Sequence, residues 1–422
     1  MPFAGFVLPA LILRPGLETA LGLVHINMGP ISVTLGFVFN ILMVAIAAAL
    51  AGYALLVDRR YQAPLVTIAL IWAPFLLAGV LAAVRSPEPA AAIQVLFNYF
   101  TYAAVAFIAL LYSPALSRER LTMVIWSSGF LPLAIGFVQV ATGTAGPRLM
   151  GSFSHPNILA FFLFVYIAFL FHALLAGYVR ERRLVLAIWG TLGLAGIALL
   201  LTGTRSAYVA VYAYVFLYSA FRKPILILPL ILLPFAALLV PGVMDRLSDV
   251  SGGGPDVSYD YLVAVGRGDV AGSTAIGLDS ATWRKFLWES SLPWIRRNLL
   301  LGYGLASFPH YISEFFPLRE ERGAAHNIYI QMMFEGGLFL TLGYISILIT
   351  VMVRAMRHVR QLPAEAAFTV LTVIMFAVAS FSDNMLYYLS VNIEFWLVIF
   401  AMYPMAQPNV RRHFHPRSVS VR

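Results

Sequence analysis

Arginines and a histidine recur in this sequence at the ends of apolar runs. Arg148 lies in GPRLMGSFSHPN, Arg205 in LLLTGTRSAYVAV and Arg284 in ATWRKFLWESS, while His326 opens HNIYIQMMFEGGLFL. A forked guanidinium suits phosphate oxygens, and histidine can exchange a proton near neutral pH, as base catalysis on a hydroxyl requires. These residue types predict a site that binds a diphosphate, most naturally that of a membrane-resident lipid, and assists attack by a hydroxyl.

The rest of the chain is too apolar for a soluble domain. Its 422 residues are 61% hydrophobic and only 11% charged, whereas soluble domains are about a quarter charged. Apolar runs bounded by charged or turn residues predict about twelve membrane helices. They fall at 3–26, 30–57, 64–84, 90–112, 121–142, 156–178, 184–202, 205–221, 224–241, 327–353, 365–383 and 386–406. We therefore predict an all-α polytopic membrane protein.

The placement of the basic residues predicts an orientation. If the N-terminus is cytoplasmic, every inner loop is basic: Arg59–Arg60, Arg118 with Arg120, Arg180 with Arg182 and Arg183, Arg222–Lys223, and Arg354 with Arg357 and Arg360. This agrees with the positive-inside rule. The net charge of +9 is scattered among these loops, a pattern that indicates membrane topology and not nucleic-acid binding. Both termini are predicted to be cytoplasmic.

One outer connection is much longer than the others. We predict helices 1–9 within residues 1–241, a large outer loop at 242–325, helices 10–12 within 326–406, and a basic cytoplasmic tail at 407–422. In the loop, Trp283, Phe286, Leu287 and Trp294 recur at helical spacing beside arginines and a lysine. This pattern favours an amphipathic helix at the membrane surface.

Each candidate residue also has a simpler explanation. Arg205 could place its charge among lipid headgroups, Arg284 could anchor the amphipathic helix, and His155, Asn157 or His326 could cap a helix. The predicted topology nevertheless brings Arg148, Arg205, Arg284 and His326 to one face of the membrane. Further candidates for binding the diphosphate or its glycan are His155, Arg319, Arg322 and Asn327, the last more as a capping or positioning partner.

The sequence offers little for a metal or redox cofactor. There is no cysteine, which excludes disulfides, iron–sulfur clusters and thiolate zinc sites. The outer carboxylates, Glu88 and the aspartates between 245 and 279, contain no tight D-x-D pair that would hold a metal against phosphates. We predict no cofactor and no metal, with arginine neutralising the diphosphate.

Four ordered motifs resemble the O-antigen ligase and polymerase superfamily of bacterial inner-membrane proteins. They are GSFSHPNILA (151–160), TGTRSAYVA (202–210), WRKFLWESSL (283–292) with LLGYGLASF (300–308), and HNIYIQMMFEGGL (326–338). The family often has H-N, nine residues, then G-x-x-G. Gly337 fits the first glycine, but Leu340 replaces the second, which puts a close helix contact at that turn in question.

The resemblance implies a GT-C-like glycosyltransferase of the inner membrane with a periplasmic site. It would use an undecaprenyl-diphosphate-linked glycan, held by Arg205 and Arg284, with His326 activating the acceptor. Chain length and the single large loop favour a ligase, which transfers the glycan to lipid A-core. The alternatives are a polymerase using the same donor, a protein oligosaccharyltransferase, and a flippase. A flippase is disfavoured because no internal repeat or midplane charged site is evident.

Overall fold

The computed structural model describes residues 10–11, 13–28, 31–58, 61–237, 280–318 and 323–403. Some predicted features fall outside them. These are the start of the first segment, residues 242–279 of the large loop, Arg319, Arg322 and the 407–422 tail. The fold is therefore built from the helices on either side of the large loop and the part of that loop nearest His326.

Helices make up almost all of the regular structure in the described part of the chain. In order they are α1 (Glu18–Leu23), α2 (Leu35–Leu56), α3 (Gln62–Val84), α4 (Pro89–Tyr112), α5 (Arg118–Ser128), α6 (Phe130–Ala141), α7 (Pro156–Leu175), α8 (Arg182–Leu201), α9 (Arg205–Arg222), α10 (Ile227–Ala237), α11 (Ser280–Arg297), α12 (Phe308–Phe315), α13 (Ile328–Arg357), α14 (Pro363–Ala379) and α15 (Leu389–Ala401). Short 3-10 turns at Pro224–Leu226 and Met385–Tyr387 precede α10 and α15. An antiparallel hairpin pairs β1 (His25–Met28) with β2 (Ile31–Thr34).

Seven helical stretches among the described residues are long and apolar enough to cross a membrane. They are α2, α3, α4, the α5–α6 pair, α7, α8 and α13, while α14 and α15 are shorter apolar helices. A helix satisfies its own backbone hydrogen bonds, which makes it suited to hydrocarbon. The predicted class, a polytopic helical membrane protein, is confirmed, but these spans do not reach the predicted number of twelve.

The centre of the bundle is formed by helices that are buried on every side. Residues from Pro156 to Ala173 of α7 are all buried, as is the whole of α15. Helices α2, α3 and α8 instead keep large apolar side chains exposed, for example Leu55, Leu70 and Leu194. Apolar residues on all faces are expected for membrane helices, so α7 and α15 are central and α2, α3 and α8 present the lipid-facing surfaces.

The first predicted segment, 3–26, forms no spanning helix over its described part. The chain there forms the short α1 and then β1. Arg14 is buried and paired with Glu18, and the hydroxyl of Ser390 on α15 also donates to the Glu18 carboxylate. A buried charge is tolerated when it is paired, and this pair holds the segment against α15 instead of extending an apolar helix.

The predicted segment 121–142 is divided at Gly129 into α5 and α6. A Cβ at Gly129 would collide with the ring of Tyr166 on α7. The Tyr166 hydroxyl donates to the carbonyl of Trp126, at 2.8 Å. The division therefore accommodates a large side chain from the central helix, which hydropathy does not reveal.

Helix α13 contains a break at Gly337, where φ is 62° and ψ is −157°. The chain from 299 to 304 runs beside this break and supplies hydrogen-bonding partners. Leu338 N donates to the Leu299 carbonyl at 2.8 Å, and Gly304 N donates to the Glu335 carbonyl at 2.8 Å. Non-helical backbone at membrane depth is tolerated where protein satisfies it, so the outer loop and α13 form one unit.

Leu340 replaces the glycine that would allow a close contact between helices. Such a contact is nevertheless present one turn further along α13, at Gly343. Leu340 is fully buried, while a Cβ at Gly343 would lie only 2.8 Å from the Cα of Phe75 on α3. Glycine permits this approach of two backbones. The departure from the family pattern at Leu340 thus leaves the packing of α13 on α3 intact.

Candidate functional site

The minimal turn predicted between Leu201 and Arg205 is present, and Arg148 is bonded to it. Helix α8 ends at Leu201 and α9 begins at Arg205. Arg148 Nε donates to the Thr202 carbonyl at 2.7 Å, and its Nη2 donates to Thr204 Oγ1 at 2.9 Å. Arg148 therefore joins the loop before α7 to the turn that presents Arg205.

Asn157, in the first turn of α7, extends this connection to a carboxylate. Its Oδ1 accepts from Arg148 Nη2 at 2.7 Å, and its Nδ2 donates to Asp383 Oδ2 at 2.5 Å. Asp383 lies between α14 and α15 and is only 2% exposed. The structure thus brings three separate connections, before α7, before α9 and before α15, to the same end of the bundle.

Asp383 is held by several donors besides Asn157. The Tyr388 hydroxyl donates to Oδ1 at 2.6 Å, as does the backbone N–H of Asn384 at 2.8 Å. Burial alone would raise the pKa of Asp383, but the neighbouring His326 and Tyr388 outweigh it and hold that pKa below its usual value. Asp383 is therefore a fixed anion in this site.

His326 lies beside that anion. Its Nδ1 is 3.7 Å from Asp383 Oδ1, an ion-pair distance, and its side chain is 37% exposed. The ring meets Trp283 edge-on, with centroids 5.8 Å apart. His326 also has a positive φ of 49°, which is uncommon for a residue other than glycine and is often found at functional sites. The imidazole is thus accessible on one side and faces a carboxylate on the other.

Arg284 and Arg205 approach this pair from different helices. Burial lowers the pKa of Arg284, the Asp383 carboxylate raises it, and Arg205 lowers it again. Arg284 is therefore within electrostatic range of both. Arg205 is the first residue of α9, where the positive end of the helix dipole disfavours a cation. Two arginines, one of them at a helix N-terminus, form an electropositive region suited to a polyanion.

Of the four capping candidates, His155 and Asn327 cap a helix, whereas Asn157 lies within α7 and His326 precedes the cap of α13. His155 is the N-cap of α7, where its Nδ1 accepts from Asn157 N at 3.1 Å. Asn327 is the N-cap of α13, where its side chain accepts from Tyr329 N at 3.0 Å and Ile330 N at 3.2 Å. Burial and the nearby Arg148 lower the pKa of His155. Binding of substrate by either residue stays a prediction.

Helix α11 confirms the predicted helix of the outer loop, but several of its aromatic residues pack inward. Phe286 and Leu287 are buried in a cluster with Phe308 and Phe334, and Trp283 and Trp294 pack against it. Trp288 Nε1 donates to the Ala325 carbonyl at 2.7 Å. Stacking against α12 and α13 thus fixes α11, and with it Arg284, next to His326.

Sequence reasoning missed Asp383 and Tyr388 as part of this site. Asp383 ends the apolar run 365–383, and a carboxylate at the edge of a membrane segment is itself a functional signal. Its partners Asn157 and His326 come from other parts of the chain, so the apolar run alone does not place Asp383 in the site. Among the described residues, no group of three His, Cys, Asp or Glu side chains could hold a metal ion.

Residues 190–345 match the family model described as O-antigen ligase. This range contains Arg205, Arg284, His326 and Asn327, whereas Arg148, His155 and Asp383 lie outside it. The match confirms the resemblance to the O-antigen ligase and polymerase superfamily. No curated protein matches the chain.

Proposed function

Since its residues 190–345 match the O-antigen ligase family, we propose that this chain is an O-antigen ligase. It is a membrane glycosyltransferase that moves a glycan from undecaprenyl diphosphate to a sugar hydroxyl of lipid A-core, in lipopolysaccharide biosynthesis. The observation that carries the proposal is the meeting of Arg205, Arg284, His326 and Asp383, which come from four separate parts of the chain. These groups could bind a diphosphate and take a proton at the same place.

Arg205 and Arg284 stabilise the leaving diphosphate. As the bond between the anomeric carbon and the diphosphate oxygen breaks, negative charge grows on that oxygen. The guanidinium groups of Arg205 and Arg284 stabilise this charge in an arrangement fixed by Thr204 and α11 before the donor arrives. Arg205 also repels Arg284, although Asp383 acts on Arg284 more strongly, and this repulsion is relieved when the diphosphate binds.

His326 and Asp383 act on the acceptor. The acceptor hydroxyl attacks the anomeric carbon from the face opposite the diphosphate, with inversion, and forms the new glycosidic bond. Its proton passes to His326, and undecaprenyl diphosphate leaves. Asp383 Oδ1, 3.7 Å from Nδ1, stabilises the imidazolium formed, which leaves Nε2 to receive the proton.

The remaining features of the proposal concern location. The basic loops support cytoplasmic termini in a bacterial inner membrane, with helices 1–9 in 1–241, the large loop in 242–325, helices 10–12 in 326–406 and the tail after 407. The site would then face the periplasm, and the lipid tail of the donor would lie between helices. A GT-C-like arrangement, twelve helices and secondary contacts from Arg148, His155, Arg319, Arg322 and Asn327 belong to the same proposal.

A reconstituted transfer assay tests this function. Purified protein in liposomes is given lipid-linked glycan with lipid A-core, and His326→Ala is run beside the wild type. A glycan covalently joined to lipid A-core, absent with the variant, supports a ligase. A product lengthened on undecaprenyl diphosphate would indicate a polymerase, and donor crossing the bilayer without any product would indicate a flippase.

A further inference from the structure

Glu335 is a buried carboxylate inside α13 that contacts neither arginine of the site. It is 1% exposed and immediately precedes Gly336. Two donors hold its carboxylate, one at each oxygen: Gln331 Nε2 donates to Oε1 at 2.5 Å, and the Tyr387 hydroxyl donates to Oε2 at 2.8 Å. A carboxylate presents an acceptor oxygen to each of these donors, whereas a glutamine would turn its own NH₂ group towards one of them.

The hydrogen bond from Gln331 to Glu335 fixes which way the Gln331 amide faces. Because Nε2 donates to Glu335, Oε1 points towards the outer end of α13. There it accepts from Ala325 N at 2.9 Å and from Asn384 Nδ2 at 3.1 Å. Asn384 Oδ1, oriented in turn by this contact, accepts from Asn327 N at 3.0 Å.

The two residues whose backbone N–H groups donate to these amides flank His326 in the sequence. Ala325 is held by Gln331 and Asn327 by Asn384, so the backbone is clamped before and after the histidine. Between the two clamps His326 has its positive φ of 49°. A left-handed conformation is strained for a residue with a Cβ, so it persists only when its surroundings impose it.

We propose that Glu335 is a positioning residue for His326, acting through Gln331 and Asn384. The carboxylate sets the direction of both amides, and the amides hold the backbone that aims the imidazole at Asp383. Asn384 is also bonded through its N–H to Asp383 Oδ1, so the same network fixes the partner of the histidine. The catalytic part of this inference rests on the proposed glycosyl transfer.

A purely structural role for Glu335 would be different. By accepting from the Tyr387 hydroxyl, Glu335 also fastens the 3-10 turn before α15 to α13. If this were its whole purpose, its loss would lower the thermal midpoint, while the folded molecules would keep their turnover number and the environment of His326.

The experiment compares Glu335→Gln with Glu394→Gln. Glu394, on α15, is also buried within the bundle at 3% exposed, but it accepts from the Ser128 hydroxyl, which is outside this network. Gln331→Leu serves as a second variant, since it removes the relay and leaves the hydrogen bond from the Tyr387 hydroxyl to Glu335. Each protein is purified in detergent, its folded fraction is measured, and turnover and KM for donor are determined.

We expect Glu335→Gln and Gln331→Leu to lower kcat at least about tenfold per folded molecule with little change in KM, because small displacements of a reacting group are costly. Glu394→Gln should keep the wild-type kcat. The ring signal of His326, picked out among the eight histidines of isotope-labelled protein by its loss in His326→Gln, should move in the first two variants only.

The ring signal separates failure of this inference from failure of the proposed function. An unmoved His326 signal in Gln331→Leu overturns the positioning role, whether or not transfer is observed. A signal that moves as expected in a wild-type protein without transferase activity leaves the positioning role standing and overturns the proposed reaction. If Glu335→Gln does not fold, Gln331→Leu alone decides.

Discussion

Asp383 Oδ1 lies 3.7 Å from His326 Nδ1, although one residue precedes α15 and the other precedes α13. Asp383→Asn keeps the shape of the side chain and removes the charge that stabilises a protonated imidazole. We expect transfer to fall by about 10²-fold or more, with KM for donor little changed, as measured in the reconstituted assay. Asp58→Asn, at the opposite end of the bundle, is the matched control. Equal activity of the two variants would contradict the role of Asp383.

The lowered pKa of Asp383 has a consequence for stability. A carboxyl group whose pKa is lower in the folded state stabilises the fold above its ordinary pKa of about 4, and this contribution is lost as the pH falls through the folded value. The thermal midpoint of the wild type should exceed that of Asp383→Asn at neutral pH, and the gap should close in acid. A gap that is constant or widens as the pH falls would refute this.

Arg205 and Arg284 should be required for turnover more than for folding. Replacing either with alanine removes a charge from the leaving diphosphate, and we expect transfer to fall by about 10²- to 10³-fold. Lysine should restore part of the activity, since it keeps the charge but not the fork. Because a cation is unfavourable at the N-terminus of α9, Arg205→Ala should not lower the thermal midpoint. Arg182→Ala, at the other end of α8, should remain active.

Transfer should not depend on a divalent metal. In the proposed mechanism arginines neutralise the charge of the diphosphate. EDTA should therefore leave the initial rate unchanged. The measurement is the rate of product formation with and without chelator, using protein first dialysed against EDTA. Loss of activity that returns when Mg²⁺ or Mn²⁺ is added would overturn this.

A substitution at Gly337 tests the importance of the break in α13. Its φ is 62°, and a Cβ there would collide with the backbone of Leu300. Gly337→Ala should therefore lower the free energy of unfolding by more than about 2 kcal/mol. Gly190→Ala, in α8 with no atom within 4 Å of an added Cβ, should be neutral or stabilising by up to about 1 kcal/mol. The measurement is the thermal midpoint of each variant in detergent. Similar shifts for Gly337→Ala and Gly190→Ala would contradict this prediction.

The sequence correctly predicted features that depend only on residues close together in the chain. The turn before Arg205, the cap at Asn327 and the apolar length of α7 all follow from neighbouring residues. It failed at Gly129, because the cause of the break is Tyr166 on another helix. Asp383 was missed for the same reason, since its partners Asn157 and His326 are distant in sequence and the carboxylate alone does not reveal them.

The bond from Asn157 Nδ2 to Asp383 Oδ2, at 2.5 Å, has a consequence for biosynthesis. Chains are made from the N-terminus, so α7 enters the membrane long before Asp383 exists. Until the last helices have been synthesised, Asn157 and the turn at Thr204 lack the carboxylate that completes their network. A nascent chain arrested before Asp383 would carry both arginines and the histidine yet be inactive, and activity would arise only near the end of translation.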